Sequence, residues 1–363
     1  MTYRERVMAI FAGKEVDNIV YQPRLEHWYK ICKGTNTLPD KFKDMSLLDV
    51  YDYMGCSIRS YSWFNPCLDM HYTDDVKMTD ITEGNITITR WETPVGSVEK
   101  HIRRSELARH TEKFPIETPE DMKVVEFILR NQVWTFDYER FEKSEKELGD
   151  RAAPMLFIPR INLQRLFIDL MGFENTLYAL HDDESSIRHI CDVIDETDQD
   201  LIDVLCESPI PIINFGDNVD QNFLSKNVFE TYLLPTYKQR AAKFHKAGKY
   251  VHAHWDGSVS WIASYAKQTD MDGIEALTPV PQGDITLDAI KDALGDELIL
   301  LDGIPMTCFL PHEPIEELER YTREIIERFS PKLILGISDE PSPVCDIERV
   351  KFVMDIVNEY EKG

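Results

Sequence analysis

Two histidines and an aspartate alternate with apolar residues in the stretch KYVHAHWDGSV, residues 249–259. Side chains two apart on a β-strand point to the same face, so His252, His254 and Asp256 would share one face. An imidazole beside carboxylates is typical of two kinds of site: a zinc centre with nitrogen and oxygen ligands, and a metal-free pair that moves protons. The residues alone leave both open. They also leave His252, the deepest of the three, as either a ligand or an interior residue held by hydrogen bonds.

Carboxylates or histidines stand at the carboxyl ends of all the predicted strands in the second half of the chain. These residues are Asp217, His254, Asp256, Glu275, Asp302, Asp339 and Glu340. Arg24 ends the first predicted strand, and Asn218 follows Asp217. Because α/β barrels carry their chemistry at the carboxyl ends of their strands, this ring predicts an active site there.

Glu275 ends the strand that follows His254 and Asp256, so its carboxylate can reach both of them. One imidazole and two carboxylates would form a zinc set with a position open for substrate. Cys308 and Cys345 follow the last two predicted strands and are alternative ligands. Scattered cysteines are more often small buried apolar residues, and that interpretation stays open for both.

Short β-branched runs, each followed by a helical pattern, dominate the chain from residue 152 onward. The predicted strands are 18–24, 57–63, 153–160, 211–217, 249–255, 272–278, 297–303 and 332–338, and the helices after the last five are 226–247, 258–268, 286–294, 313–328 and 346–361. Such runs are typical of parallel strands buried on both faces. Eight of them predict an α/β protein of the (β/α)8 TIM-barrel class. A doubly wound sheet is the alternative, disfavoured because no glycine-rich phosphate loop follows the first strand.

The N-terminal half has a different pattern. Helices are predicted at 2–14 and 38–54, and a mostly helical stretch at 117–149. Residues 84–104 alternate with period two around TPVG, which predicts a β-hairpin. No linker rich in proline, glycine or serine divides the chain. We therefore expect residues 1–363 to form a single barrel domain, with residues 64–150 as an inserted elaboration.

The composition excludes several classes of function. The 363 residues include 65 acidic and 40 basic ones, a formal net charge of −25, which argues against a broad basic face for nucleic acid. No apolar run is long enough to span a membrane. The first residues lack the pattern of a signal peptide, so we expect a cytoplasmic protein. Seven scattered cysteines without a CxxC pair indicate reduced thiols.

Five stretches together resemble the uroporphyrinogen decarboxylase-like superfamily, a set of (β/α)8 barrels. They are RERVMAIFAGKEVDNIV (4–20), LMGFENTLYALHDDESSIRHICDVI (170–194), FGDNVDQNFLSKNVFETYLLPTYKQRAAKFHKAGKYVHAHWDG (215–257), GIEALTPVPQGDITLDAIKDALG (273–295) and LILGISDEPSPVCDIERVKFVMDIV (333–357). The resemblance implies one of two chemistries, porphyrinogen decarboxylation or cobamide-dependent methyl transfer.

The chain is more similar to the methyltransferase branch. True decarboxylases of the superfamily carry RQAGR after the first strand, where this chain reads PRLEHWYKICKG and keeps only Arg24. The methyltransferases carry a zinc motif, His-x-Cys-Gly, and a later cysteine. Here His254-Trp255-Asp256-Gly257 aligns with that motif, and Asp339 falls near the later cysteine. The resemblance thus implies His254, Asp256, Glu275 and Asp339 as metal ligands, with both thiolates replaced.

Carboxylate ligands leave more positive charge on a zinc ion than thiolates do, which suits a Lewis acid acting on oxygen. We therefore expect a methyl group to move from a small methylated substrate, in the first place an O-methyl compound, to the corrinoid (cobalamin) of a separate protein. The chain has no corrinoid-binding motif of its own, because DMHYTDD at His71 has Asp74 where DxHxxG needs glycine. Methoxyaromatics, methylated amines and simple methyl ethers are all candidate donors.

The remaining site residues follow from their places at the strand ends. Candidate residues that orient substrate or move a proton are Asp217, Asp302 and Arg24, and candidate substrate contacts are Trp28, Asn218 and Trp255. The tryptophans are equally open to an interpretation as core packing. Two other functions remain as alternatives: a metal-free lyase that decarboxylates an acid, and a non-catalytic binding protein on the same barrel.

Overall fold

Seven parallel strands form the central sheet of the computed structural model, which describes residues 1–105 and 108–361. In chain order the strands are β1 (Val20–Tyr21), β2 (Met155–Ile158), β3 (Ile212–Phe215), β4 (Tyr250–His254), β5 (Gly273–Glu275), β6 (Ile299–Ile304) and β7 (Leu333–Ile337). Neighbours in the chain from β2 to β7 are neighbours in the sheet, and β1 pairs with β7. Strands β6 and β7 are buried along their whole length, as expected of parallel strands covered on both faces.

The gap between β1 and β2 is bridged by residues 56–60, which are irregular. The amide of Ser57 donates to the carbonyl of Tyr21 on one side (2.9 Å). On the other side, the Ser60 hydroxyl donates to the Ala153 carbonyl (2.8 Å) and accepts from the Met155 amide (3.1 Å). Side-chain hydrogen bonds here replace part of a strand ladder, and the sheet curls into the predicted α/β barrel.

The predicted strand 57–63 is therefore wrong in its conformation, although it is right in its place. Residues Tyr61–Phe64 form a helical turn instead. The reason is that Ser57 and Ser60 bond to the neighbouring main chain through their hydroxyls, so the segment needs no ladder of its own.

Helices surround the sheet and supply the other half of the core. The α-helices are Tyr3–Phe11, Glu26–Gly34, Leu47–Met54, Tyr61–Phe64, Pro119–Arg130, Tyr138–Leu148, Asn162–Arg165, Phe173–Asp182, Glu184–Glu207, Lys226–Val228, Leu234–Lys246, Leu287–Leu294, Ile315–Phe329 and Glu348–Asn358. Helix Ile315–Phe329 is typical: its buried side chains, among them Leu318, Ile325 and Phe329, recur every three or four residues and form one apolar face.

Two predicted helices differ in kind from the expectation. The stretch 258–268 is a 3-10 helix over Ile262–Gln268, and the helix predicted at 226–247 contains a π-helical turn at Phe229–Leu233. Further short segments are the π-helical turn Leu166–Leu170 and the 3-10 turns Asp40–Phe42, Asn65–Cys67, Gly149–Arg151 and Met306–Phe309. No helix within residues 1–105 and 108–361 has both the length and the apolar character needed to cross a bilayer.

The N-terminal half adds two small antiparallel sheets to the barrel. One contains the strands Lys77–Glu83, Ile86–Thr93, Gly96–Arg104 and Arg109–Lys113, and the other pairs Leu68–Tyr72 with Gln132–Phe136. The hairpin predicted at 84–104 is confirmed. Its turn ends at Gly96, whose φ of +143° suits glycine. The stretch 117–149 is not one helical region, because the strand Gln132–Phe136 separates its two helices.

We expect Ser60→Ala to lower the free energy of unfolding by about 1–3 kcal/mol, since it leaves the buried Ala153 carbonyl and Met155 amide without their partner. Urea unfolding followed by circular dichroism measures the loss. Ser62→Ala is the control, because Ser62 is exposed and should change the stability by less than about 0.5 kcal/mol. Equal effects of the two substitutions would show that the hydroxyl of Ser60 does not hold the sheet edges together.

Candidate active site

A cavity of about 540 Å³ opens at the carboxyl ends of the barrel strands. Its polar lining includes Arg24, Glu26, Arg59, Tyr61, Arg160, Asn214, Asn218, His254, Asp256, Glu275, Asp339 and Glu340. All four predicted metal ligands are in this set, together with the predicted Arg24 and Asn218. Five members of the strand-end ring, His254, Asp256, Glu275, Asp339 and Glu340, therefore meet at one cavity, and Asp217 and Asp302 do not line it.

His254 lies between two carboxylates on this cavity wall. Strand β4 pairs with β5 so that His254 stands beside Glu275. The Nδ1 atom of His254 is 3.4 Å from Glu275 Oε1, and its Nε2 atom is 3.8 Å from Asp256 Oδ2. Burial lowers the pKa of His254, but the attraction of the nearby Asp256 and Glu275 carboxylates outweighs burial and raises the pKa to about 9. The imidazole is thus protonated at neutral pH.

Glu275 is the most heavily engaged carboxylate of the site. Its Oε2 atom accepts hydrogen bonds from the Tyr61 hydroxyl and the Asn214 amide, both at 2.7 Å. Its Oε1 atom lies 3.0 Å from Arg59 Nη1. Burial would raise the pKa of Glu275, but the positive charges of Arg59, His254 and Arg24 hold it well below its ordinary value. Glu275 is therefore a fixed anion beneath the cavity.

Arg59 is a site residue that the sequence reasoning missed. Its side chain is wholly buried and lies on the bridging segment 56–60. The guanidinium donates to Gln22 Oε1 (2.8 Å) and to Asp302 Oδ1 (2.8 Å), besides its ion pair with Glu275. An arginine inside a predicted barrel strand was the available signal, because such a charge is almost never buried without partners.

His252 lies one step deeper than His254 and is fully buried. Its Nδ1 atom is 3.3 Å from Glu275 Oε2, and its Nε2 atom is 3.4 Å from the Tyr61 hydroxyl. Burial lowers the pKa of His252 to about 3, so the ring is neutral. Of the two interpretations left open by the sequence, complete burial favours an interior residue; among the described residues its Nε2 atom meets the Tyr61 hydroxyl, and its Nδ1 atom has no hydrogen-bond partner.

Arg24 lines the cavity, and some of its N–H donors make no hydrogen bond within the described residues. Its Nη1 atom is 3.7 Å from Glu275 and its Nη2 atom is 3.7 Å from Asp339. Within the described residues, the buried Nε and Nη2 atoms of Arg24 have no hydrogen-bond partner. Buried N–H groups without partners are uncommon, and a bound polar ligand is one way to satisfy them.

Asn218 joins two other residues of the cavity lining, Asp256 and Arg160. Its side chain donates to Asp256 Oδ2 (3.1 Å) and accepts from Arg160 Nη2 (2.8 Å). Asn218 has a φ of +54°, a strained conformation of the kind that clusters at functional sites. The predicted substrate contact at Asn218 is therefore in a position to act.

Four other predicted site residues lie outside the cavity. The Asp217 carboxylate accepts from the Ile161 amide (2.9 Å) and the Tyr237 hydroxyl (2.8 Å), so it fixes the chain behind the wall. Asp302 is buried beneath Glu275 and pairs with Arg59. Direct contact of either carboxylate with substrate is not supported by these positions.

The two predicted tryptophans are also core residues. Trp28 packs edge-on against Phe42, and Trp255 packs edge-on against Phe229. Both indoles are at most 2% exposed. The interpretation as core packing applies to them, and neither lines the cavity.

Glu26 is a further lining residue without a sequence signal. It accepts a hydrogen bond from the Tyr51 hydroxyl (3.1 Å). Burial raises the pKa of Glu26 to about 7. It lies on the same side of the cavity as Glu340.

The donor set does not fit the predicted zinc ion. Among the described residues, no group of three or more His, Cys, Asp and Glu side chains is placed to hold a metal together. Glu275 and Asp339 each face an arginine. Cys308 and Cys345 lie away from the cavity, and Cys345 Sγ is 3.7 Å from Met306 Sδ.

A barrel with charged, mostly buried groups around a cavity at its strand ends is an α/β barrel of the enzyme type. The chain belongs to the Uroporphyrinogen decarboxylase (URO-D) family, whose model matches residues 165–360, more than half of its length. The superfamily resemblance of the sequence is thereby confirmed.

Solved structures of other proteins are similar to this chain. A methyltransferase from Methanosarcina mazei is 12% identical, with a TM-score of 0.62 and a match that covers 99% of both chains. A B12-independent methionine synthase from Shewanella sp. W3-18-1, in complex with selenomethionine, is 10% identical, with a TM-score of 0.42 over 89% of this chain and 91% of that chain. The first likeness extends the shared fold over the whole chain. No curated protein matches the chain.

Proposed function

We propose that the protein moves a methyl group from a small methylated substrate, in the first place an O-methyl compound, to a reduced corrinoid carried by a separate protein. The observation that carries this proposal is the place of His254 at the wall of the cavity, with a carboxylate facing each ring nitrogen, Glu275 at Nδ1 and Asp256 at Nε2. Support also comes from the family and from the fold shared with the Methanosarcina mazei methyltransferase.

The chemistry needs an acid at the leaving atom. As the methyl carbon passes to the reduced corrinoid, which supplies the electron pair of the new bond, the carbon–oxygen bond breaks and its electron pair stays on oxygen. A poor alkoxide leaving group becomes a good one when it is protonated as it leaves. His254 holds a proton at the cavity wall for this purpose, and Asp256 keeps the ring oriented.

The remaining polar groups would position the substrate. Arg24 offers to a negatively charged or polar part of the donor N–H groups that have no partner among residues 1–105 and 108–361. Asn218 is in a position to contact the donor from the opposite wall. Glu275 and Arg59 form a buried ion pair, and Glu275 lies against His254 and keeps its ring in place.

The direct test mixes the protein with a reduced corrinoid protein and a panel of methoxyaromatics, methylated amines and simple methyl ethers. We expect the corrinoid absorbance to change to that of the methylated form with at least one O-methyl compound. Demethylated product should appear in equal amount. A panel that leaves the corrinoid unmethylated, although a known methyltransferase methylates it in the same mixture, would contradict the proposal.

A second candidate function is favoured by the free donors of Arg24. Arginine is well suited to grip a carboxylate, so the same cavity could hold an acid that loses CO2. The carbon–carbon bond would break, its electron pair would stay on carbon, and His254 would supply the proton. Methoxybenzoic acids separate the two functions, because methyl transfer yields a phenolic acid, whereas decarboxylation releases CO2 and keeps the methyl ether.

The methyl-transfer rate should fall at high pH. The pKa of His254 is raised to about 9, so the active, protonated ring is present throughout the neutral range and is lost as the pH rises through 9. The rate should then drop about tenfold for each pH unit above 9. Stopped-flow measurement of corrinoid methylation, repeated about every half pH unit between roughly pH 6 and 10, gives the dependence of the rate on pH.

Asp256→Asn provides the matched comparison for this profile. Its carboxylate is one cause of the raised pKa of His254, so its removal should move the descending limb to lower pH. An unchanged limb in this variant would show that a group other than His254 controls the rate.

A further inference from the structure

We infer that the guanidinium of Arg59 stands where a divalent metal would otherwise be held, so that the protein binds no zinc at this site and relies on its own cationic side chains. The inference concerns the cavity of the proposed function and deepens that proposal. It can be tested without the methyl-transfer reaction, because it is a statement about metal content.

The position of Arg59 is fixed by three partners. Its Nε atom donates to Gln22, its Nη2 atom to Asp302, and its Nη1 atom lies 3.0 Å from Glu275. All of these distances are 3.0 Å or less, and the side chains of Arg59, Asp302 and Glu275 are completely buried. A guanidinium held in this way cannot move aside to let a cation reach Glu275 without leaving Asp302 unpaired.

A second arginine adds to the same effect. Arg24 lies 3.7 Å from Glu275 and 3.7 Å from Asp339. Two of the four predicted ligands therefore face a fixed positive charge. A zinc ion bound by Glu275 and Asp339 would be repelled by the guanidinium groups of Arg59 and Arg24, since like charges repel one another strongly where water is excluded.

The ligands that remain are too few. Zinc sites in enzymes use three protein ligands and an open position. Without Glu275 and Asp339 the predicted set is reduced to His254 and Asp256, whose facing atoms are 3.8 Å apart. The other oxygen of Glu275 is already shared by Tyr61 and Asn214.

The first test is elemental analysis of the full chain produced with added zinc and then dialysed against metal-free buffer. We expect well below one zinc per chain, and no change in Tm when zinc chloride or EDTA is added. About one zinc per chain that is lost in His254→Ala would overturn the inference.

The second test asks whether Arg59 is what excludes the metal. Cobalt(II) chloride is titrated into the wild-type protein and into Arg59→Met, and the visible absorption of bound cobalt is recorded. We expect no absorption from the wild type and saturable absorption from Arg59→Met, because Glu275 is then free beside His254 and Asp256. Arg320→Met, an exposed arginine on helix Ile315–Phe329, is the control and should resemble the wild type.

A folded Arg59→Met variant that binds no cobalt would overturn the role given to Arg59. If that variant does not fold, zinc analysis of the wild type still decides whether the site holds a metal. The outcome is separable from the proposed function. A zinc-containing protein that transfers methyl groups would reject only the inference, and a zinc-free protein that transfers none would reject only the function.

Discussion

His254→Gln should lower kcat for methyl transfer by about 10²–10⁴-fold, the range that a positioned acid contributes. Glutamine is similar in size to histidine and can keep a hydrogen bond to Glu275 or Asp256, but it cannot release a proton. The fold should therefore be preserved while the acid is lost. Corrinoid methylation followed at pH 7 gives kcat, and thermal unfolding checks that the protein is intact.

The loss should be accompanied by a change in the pH profile. The wild-type rate is expected to fall above about pH 9, as the raised pKa of His254 requires, whereas the residual rate of His254→Gln should lack that limb. His189→Gln is the matched control, because His189 also pairs with a carboxylate, Glu126 at 2.8 Å, but lies on the exposed side of helix Glu184–Glu207. A small loss in His254→Gln with an unchanged pH profile would remove His254 from the reaction.

The barrel could be predicted from the sequence because its strands and helices repeat a simple pattern. The runs at 297–303 and 332–338 are rich in leucine and isoleucine, and the structure has buried strands there, β6 and β7. Parallel strands that are covered on both faces leave this signal in the sequence without reference to distant residues. The types of helix at 226–247 and 258–268 could not be predicted from the same pattern, since π-helical and 3-10 turns depend on how the segment packs against the rest of the protein.

The residues that line the cavity could be predicted only in part. Side chains alternate between the two faces of a strand, and this alternation explains which predictions failed. His252 and His254 point inward, so Trp255 between His254 and Asp256 must point outward, where it packs against Phe229. Asp217 likewise lies three residues after the inward-facing Asn214 and turns behind the wall. A strict count of alternate positions would have removed both from the candidate site residues, Trp255 as a substrate contact and Asp217 as a residue that orients substrate or moves a proton.

Arg59 could not be placed in this way. The sequence suggested a regular strand over 57–63, and the segment is irregular because two serines bond to its neighbours. Its long-range partners, Asp302 and Glu275, are more than 200 residues away in the chain. Nothing local shows that one guanidinium joins them, and the same pairing is what removes Glu275 from the predicted metal set.

Arg59→Met should destabilise the protein by about 3–5 kcal/mol, the range seen when one partner of a buried ion pair is removed. The cause is not only the lost attraction. Asp302 and Glu275 would remain in the core as two carboxylates, wholly buried and without their shared cation. Urea unfolding, followed by tryptophan fluorescence and by circular dichroism, measures the change in the free energy of unfolding.

Three further variants separate the ion pair from simple packing. Arg59→Lys keeps a charge but cannot reach three partners at once, so it should recover only part of the stability. Arg320→Met breaks the exposed pairs with Glu317 and Glu324 and should cost about 1 kcal/mol or less. Combining Arg59→Met with Asp302→Asn should cost less than the sum of the two single substitutions, because the buried charge is then partly removed. Additive losses would show that Arg59 acts through its volume rather than through its charge, and the electrostatic account of this site would then be wrong.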